Sequence, residues 1–300
     1  MSTPVVVEFP ENFLQPEALA DWLELTALHA ADQDASIGDL QRELDRLNYG
    51  NRESLLGNVL TEFDRRERAT GEAAYPFERG TTSIRLKAKP ADFPAYFFCL
   101  ALSYHGWKIR KGAKENPWLL FEELSFFSAK NYLGGDAILF GTSSRKGTKA
   151  KQKFRASVEF LVKTLGEGQC FTSAKTFSSK DSKLDLVAWK AFPDKRASQI
   201  IVFGQCAAGA NWRDKLTELD PEAFWDQWMT GGKGKVSSLL RSVFMPHRVF
   251  DREEWEGRAR WARLLFDRCR VVTHAHQDTA TGAFAGRLLE CCRTEWSLPV

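Results

Sequence analysis

Residues 183–192 read KLDLVAWKAF, residues 193–198 read PDKRAS, and residues 199–209 read QIIVFGQCAAG. The first segment alternates between two sets of side chains, and the third contains a run of β-branched and aromatic residues, so both predict strands. The middle segment holds Pro193 and Asp194, residue types that favour turns. This stretch therefore predicts a β-hairpin.

The residues after the hairpin predict a helix. Gly209 is expected to end the second strand, and Asn211 has a side chain suited to capping a helix. Trp212, Leu216 and Leu219 would then share one helical face. The predicted unit is a strand, a turn, a second strand and a helix.

Two oxygen-bearing side chains fall where the strands of this hairpin are expected to diverge. Asp185 lies near the start of the first strand, and Gln205 lies near the end of the second. These two ends are neighbours in an antiparallel pair, so the side chains are expected to lie close together. Because carboxylate and amide oxygens are ligands for hard divalent cations, the pair predicts a metal site.

This pattern resembles the metal-binding core of the PD-(D/E)xK nuclease superfamily, which includes many restriction endonucleases. In that family an Asp on one strand and a Glu-x-Lys or Gln-x-Lys on the next surround the metal and the attacking water. Asp185 matches the Asp and Gln205 matches the Glu or Gln, whereas Ala207 stands at the lysine position. A helix expected over residues 154–166, carrying the acidic Glu159 ahead of the core strands, is also similar.

The resemblance covers roughly residues 150–220 and implies a fold. We expect an α/β protein with a restriction-endonuclease-like small mixed sheet flanked by helices, preceded by a mainly helical N-terminal region. Residues 1–140 would form that N-terminal domain. Residues 141–300 would form the nuclease domain with a C-terminal helical extension.

The resemblance also implies an activity and a cofactor. Mg²⁺, or Mn²⁺ in its place, would be held by Asp185, Gln205 and the backbone carbonyl of Cys206. A lysine would orient the attacking water and offset charge on the phosphate, with Lys215 the first choice and Lys190 the second. The implied reaction is hydrolysis of phosphodiester bonds of DNA in restriction or anti-phage defence, with other subunits of a defence system as further partners.

Two other interpretations of the same residues stay open. Gln205 is a neutral ligand and Ala207 carries no charge, so a catalytically degenerate subunit that binds nucleic acid or partner proteins also fits the pattern. The remaining interpretation is a structural coincidence, in which Asp185 and Gln205 are neighbours without a shared role. Their positions in the fold distinguish a site from residues that lie far apart.

A basic segment precedes the predicted core. Residues 141–153 contain five basic residues and no acidic one. The basic residues are Arg145, Lys146, Lys149, Lys151 and Lys153. Such a segment suits contacts with the phosphates of nucleic acid, and a solvated surface loop has the same composition.

Composition and length are typical of a protein with a large core. Of 300 residues, 43% are hydrophobic, and they include 10 Trp and 22 Phe. The net charge of +3 permits a nucleic-acid partner without requiring one. Six cysteines without a Cys-x-x-Cys pattern argue against a zinc ribbon. Neither a membrane-spanning apolar run nor a signal-peptide pattern is found, so a soluble cytoplasmic protein is expected.

The N-terminal region predicts short helices. Apolar residues recur at spacings of three and four over residues 11–68, and Ser36 followed by Asp39 predicts a capped helix start. A run of charged residues closes this region at residues 62–68. We expect this run to form a solvated helix surface whose charges pair with one another.

The C-terminal region predicts a helix and a cluster of charges. Apolar residues over 258–270 recur at helical spacing. Asp267 and its two neighbouring arginines favour a structural ion-pair network. A zinc site that uses His274 and His276 on a strand is a weaker interpretation, because the ligand spacing fits no standard site.

Overall fold

The computed structural model describes residues 7–108, 114–140, 150–170, 183–229 and 235–300. The chain divides into two compact units. The first unit consists of Met1–Pro117, Pro246–Trp255 and Asp267–Val300, and the second consists of Trp118–Met245 and Glu256–Phe266. The boundary predicted after residue 140 therefore lies inside the second unit.

The first unit is mainly helical, with helices and strands numbered here along the whole chain. Its helices are α1 (Pro16–His29), α2 (Ile37–Arg46), α3 (Arg52–Thr70), α4 (Pro94–His105), α9 (Arg268–Thr279) and α10 (Gly282–Trp296). Its strands β1 (Asp34–Ser36), β2 (Phe77–Arg79) and β3 (Ser83–Leu86) form an antiparallel sheet in the order β1-β3-β2. The predicted helix start is confirmed, because Ser36 and Asp39 cap α2 reciprocally.

The second unit has helices around a larger sheet. Its helices are α5 (Pro117–Leu133), α6 (Ala150–Leu165), α7 (Pro221–Trp228) and the end of α8 (Arg252–Ala262), which begins in the first unit. Its strands are β4 (Asp136–Leu139), β5 (Leu186–Lys190), β6 (Ile200–Cys206), β7 (Ser238–Phe244) and β8 (Leu264–Phe266). The coarse prediction of an α/β protein is confirmed.

The five strands form one mixed sheet in the order β4-β5-β6-β7-β8. The predicted hairpin is confirmed, since β5 pairs with β6 in antiparallel register. β4 is antiparallel to β5, whereas β7 runs parallel to β6 and β8 runs parallel to β7. A parallel neighbour requires a crossover connection, and the segment that contains α7 provides it between β6 and β7.

One face of the β5-β6 hairpin carries the core of the second unit. Alternate residues of the two strands contribute to this face, as the period of a strand requires. The core contains Val187, Trp189, Ile201 and Phe203 from the hairpin, Val158, Leu161 and Leu165 from α6, and Phe224, Trp225 and Trp228 from α7. The helical face predicted over residues 154–166 is thus confirmed as a packing surface.

Two predicted helices differ from the structure. Residues 258–270 are not one helix: α8 ends at Ala262, Arg263 adopts a positive φ of 65°, and β8 follows. The apolar side chains at helical spacing in this region also suit a buried strand, and a three-residue strand is too short for periodicity to identify. After the hairpin, residues Trp212–Thr217 form a 3₁₀ helix, and Asn211 makes no side-chain capping bond.

The charged run 62–68 is only partly a solvated surface. Glu62 and Arg66 are fully buried, so the prediction was wrong for these two residues. Arg66 Nη1 lies 2.8 Å from Asp21 Oδ1 and 2.8 Å from Glu24 Oε2, and its Nε lies 2.8 Å from Glu62 Oε1. Charges from α1 therefore draw this part of α3 into the interior, which local spacing alone does not reveal.

The same interior cluster extends to the segment before α9. Arg248 Nε lies 2.9 Å from Glu62 Oε1, and Arg248 also pairs with Asp267. Asp267 caps α9 by accepting a hydrogen bond from the backbone N–H of Arg270. The ion-pair network predicted at Asp267 is therefore confirmed. His274 and His276 lie on α9, so the expected strand is wrong here.

None of the helices in the described ranges has the length and apolar character needed to cross a lipid bilayer.

Candidate functional site

Asp185 and Gln205 lie at the end of the hairpin where the pairing of β5 with β6 stops. Leu186 pairs with Gly204 in the hairpin, and the backbone N–H of Asp185 donates to the carbonyl of Gly204 at 3.0 Å. Asp185 and Gln205 are the residues next to this last pair of the ladder. The two predicted oxygen ligands therefore lie at the same end of the hairpin.

The Asp185 carboxylate is held by the backbone of the opposite strand. Its Oδ2 accepts a hydrogen bond of 2.7 Å from the N–H of Cys206. Burial raises the pKa of Asp185 to about 6, against the lowering effects of this hydrogen bond and of the charges of Lys215 and Lys183. A carboxyl group shifted in this way by its surroundings is typical of functional sites, because its ionisation is set close to neutral pH.

The Gln205 side chain is buried and has an oxygen without a partner. Only 3% of the residue is exposed. Its Nε2 donates to Glu218 Oε2 at 3.0 Å, while no group in the described part of the chain donates to its Oε1. Buried acceptors are nearly always satisfied, so this oxygen is available to a ligand that donates a hydrogen bond or to a cation.

Two lysines lie around this pair of oxygen ligands. The charge of Lys215, in the 3₁₀ helix, lowers the pKa of Asp185, and the charge of Lys183 does so as well. Lys183 has a positive φ of 52°, and its Nζ lies 3.7 Å from Glu218 Oε2. The first-choice lysine of the sequence prediction is therefore near the site.

Lys190, the second-choice lysine, is not near the site. It pairs with Ile200 at the opposite end of β5, and its Nζ contacts the carbonyl of Gly134. Five residues separate it from Asp185, or about 16 Å along an extended strand. Its place at the other end of the strand removes Lys190 from the candidate site.

The positions next to Gln205 restrict the chemistry further. Ala207, at the lysine position of the family pattern, is fully buried, and its N–H donates to the carbonyl of Phe244 at 2.8 Å. The Cys206 thiol hydrogen-bonds to Ser125 on α5, and burial raises its pKa well above the usual value. A neutral thiol is a poor ligand for a hard cation, so any contribution of Cys206 to a cation site would come from its backbone.

Sequence reasoning missed Glu218 and noted Glu159 as the acidic residue of the preceding helix. Glu159 lies on the exposed surface of α6, where it forms an ion pair of 2.7 Å with Arg155. Glu218 instead follows the 3₁₀ helix and contacts Gln205. A three-residue spacing from Lys215 to Glu218 was the available signal, because residues three apart are neighbours along such a helix.

The basic segment lies largely outside the described residues. Arg145, Lys146 and Lys149 belong to residues 141–149, which are outside them. Lys151 and Lys153 are part of α6 through their backbone. Their predicted contacts with nucleic acid stay predictions.

The donor set at the hairpin suits a hard divalent cation. It offers the carboxylates of Asp185 and Glu218 and the unpartnered amide oxygen of Gln205. All three are oxygen donors, the type that Mg²⁺ and Mn²⁺ prefer. In the ranges that the structure describes, no group of three His, Cys, Asp or Glu side chains is placed to share an ion. The candidate site therefore depends on the amide as well as on the carboxylates.

Comparison of the chain with models of protein families, with characterised proteins and with solved structures gives no match.

Proposed function

We propose that this protein is a Mg²⁺-dependent nuclease that hydrolyses phosphodiester bonds of DNA at the site formed by Asp185, Gln205 and Lys215. The observation that carries the proposal lies at the open end of the hairpin, where the Asp185 carboxylate accepts from the N–H of Cys206 and the adjacent Gln205 has a buried amide oxygen without a partner. A role in restriction or anti-phage defence belongs to the proposal through the resemblance to the PD-(D/E)xK superfamily alone.

The topology of the second unit supports the proposal. Along the chain, α5 is followed by the antiparallel strands β4, β5 and β6, and these are followed by α7 and the parallel strand β7. α6 lies between β4 and β5. A small mixed sheet flanked by helices is the arrangement that the resemblance implies. The restriction-endonuclease-like fold is the finer assignment that we propose for this unit.

Each residue of the site has a proposed task. Asp185, the Oε1 atom of Gln205 and the backbone carbonyl of Cys206 would hold Mg²⁺, which supplies charge neutralisation and a more acidic water molecule when bound. Lys215 would face the phosphate and offset the charge that develops on it. The hydrogen bond from Cys206 N–H orients the Asp185 carboxylate before any substrate binds.

The cleavage assay uses plasmid and single-stranded DNA with Mg²⁺ or Mn²⁺. We expect Lys215→Ala to reduce the cleavage rate by roughly 10²-fold to 10³-fold, the range seen when one group that stabilises a transition-state charge is removed. Lys190→Ala is the matched control, because Lys190 lies at the other end of β5. Equal rates for wild type and Lys215→Ala would remove Lys215 from the mechanism.

A degenerate subunit that binds nucleic acid without cleaving it is the second candidate function. The fully buried Ala207 favours it, since a lysine introduced there would have to enter a packed interior. We therefore expect Ala207→Lys to destabilise the protein and not to restore the family pattern. Binding of DNA without cleavage under any of the metal conditions above would select this candidate.

The basic segment is expected to contribute affinity that is independent of sequence. Lysines near phosphates release bound counterions, so replacing Lys146, Lys149 and Lys151 with Ala should weaken DNA binding at low salt. The slope of log Kobs against log salt concentration should become shallower by about 0.9 for each phosphate that the variant no longer neutralises. Fluorescence anisotropy at several salt concentrations measures this slope. An unchanged slope would assign the segment to a solvated loop.

A further inference from the structure

Glu218 occupies a position that no part of the family pattern assigns. It directly follows the 3₁₀ helix Trp212–Thr217, and its N–H donates to the carbonyl of Lys215 at 3.3 Å. Its Oε2 accepts the hydrogen bond of 3.0 Å from Gln205 Nε2. A carboxylate from a different segment thus reaches the strand position at which this chain has a neutral glutamine.

We propose that Glu218 is the second carboxylate of the cation site and also orients Gln205 toward the cation. This inference rests on the proposed function, because it concerns the same site. The amide NH₂ of Gln205 must face the Glu218 carboxylate, since an amide oxygen in that place would repel it. The hydrogen bond therefore leaves Gln205 Oε1, the atom that a hard cation binds, free of Glu218.

The charges around the site lead to the same assignment. The charges of Lys215 and Lys183 act on Asp185, and Lys183 Nζ also lies 3.7 Å from Glu218 Oε2. Asp185 with these two lysines alone would carry a net positive charge, and Glu218 removes that excess. A further negative charge strengthens the attraction for a divalent cation, so Glu218 favours cation binding at this site.

The contact with Lys183 is too weak to explain why the Glu218 carboxylate lies at this site. Its length is 3.7 Å, and the two side chains are 34% and 47% exposed. An exposed pair of this kind is held weakly. Glu218 can therefore exchange Lys183 for a cation, whereas the buried amide of Gln205 keeps its orientation.

Isothermal titration of the full chain with Mn²⁺ alone tests the assignment without relying on cleavage. We expect Glu218→Gln to weaken Mn²⁺ binding at least 10-fold while thermal melting shows a folded protein. Glu222→Gln is the matched control, because that carboxylate pairs with Lys235. It should bind Mn²⁺ like the wild type.

A double substitution separates a ligand from a purely structural residue. In Gln205→Glu/Glu218→Gln the carboxylate moves to the strand and the amide moves to the 3₁₀ segment, so the donor set keeps its composition. We expect Mn²⁺ affinity to return to within about threefold of the wild type, since the net charge of the site is restored. If Glu218 only supported the fold, this exchange would not restore the Mn²⁺ affinity.

The outcomes distinguish this inference from the proposed function. Wild-type affinity in Glu218→Gln, or no Mn²⁺ binding by the wild type at millimolar concentration, would overturn the assignment of Glu218. If Mn²⁺ binding depends on Glu218 and the wild type cleaves no DNA, the cation site stands and the nuclease function fails. Cleavage that depends on Asp185 and not on Glu218 would leave the nuclease function standing and remove Glu218 from the site.

Discussion

Asp185→Asn is expected to lower Mg²⁺-dependent DNA cleavage by roughly 10³-fold or more, because it removes the carboxylate on which every form of the proposed mechanism depends. Asparagine keeps the shape of the side chain and an oxygen that can accept from the N–H of Cys206. A loss of cleavage would then come from the missing negative charge and not from disruption of the hairpin. DNA binding should persist and strengthen slightly, since a negative charge facing the phosphates is removed.

The control for this prediction is Asp194→Asn in the turn of the same hairpin. Asp194 is 59% exposed and contacts Arg196. It lies in the turn, at the end of the hairpin opposite Asp185. Cleavage by this variant should match the wild type, and both variants should melt at similar temperatures. Equal cleavage by the wild type and Asp185→Asn would overturn the site assignment.

The second large effect is expected in the first unit. Arg66 is fully buried and lies within 2.8 Å of Asp21, Glu24 and Glu62. Arg66→Met should lower the free energy of unfolding by about 3–5 kcal/mol, because it leaves buried carboxylates without their partner. Urea denaturation followed by circular dichroism measures this change. The exposed Arg42, paired with Asp39, provides the control, and Arg42→Met should leave the midpoint unchanged.

The pH dependence of stability gives the same network a second readout. Burial would raise the pKa of Glu62, but the charges of Arg248 and Arg66 outweigh it and lower the pKa to about 2. A depressed pKa contributes stability that is present above the ordinary value of 4.5 and is lost as pH falls toward 2. We expect Glu62→Gln to lose this part of the acid dependence. Identical slopes of unfolding free energy against pH in wild type and variant would contradict the network.

The hairpin was predictable because its signals are local. Alternating side chains, the run at residues 200–203 and the Pro-Asp turn all favour the same structure. The register that pairs Leu186 with Gly204, next to Asp185 and Gln205, follows once the turn and the buried face are fixed. For this reason the positions of Asp185 and Gln205 at one end of the hairpin were predictable from the sequence.

The residues around this pair were less predictable because they depend on backbone geometry. Lys215 and Glu218 are close together through a 3₁₀ helix, whereas the spacing of apolar residues suggested a regular α-helix. Lys183 reaches Glu218 from a left-handed backbone position that a lysine adopts only where surrounding structure requires it. The backbone conformation of Lys183 has no signal in residue spacing, and the three-residue spacing of Lys215 and Glu218 is informative only once the 3₁₀ helix is known.

Buried charge was the least predictable feature. Glu62 and Arg66 have the i, i+4 spacing of a surface ion pair, and this spacing is the same on an exposed and on a buried helix face. Their partners Asp21 and Arg248 are distant in sequence. Only the fold reveals that the charges of several segments meet in one interior.

The position of a bound cation tests the central claim most directly. Crystals of the full chain soaked in Mn²⁺, with diffraction recorded above the manganese absorption edge, locate the ion by its anomalous scattering. We predict a peak about 2.1 Å from an Asp185 carboxylate oxygen and from Gln205 Oε1. Ordered Mn²⁺ at other positions, with none beside Asp185 and Gln205 at saturating concentration, would contradict the assignment of this hairpin as a metal-dependent nuclease site.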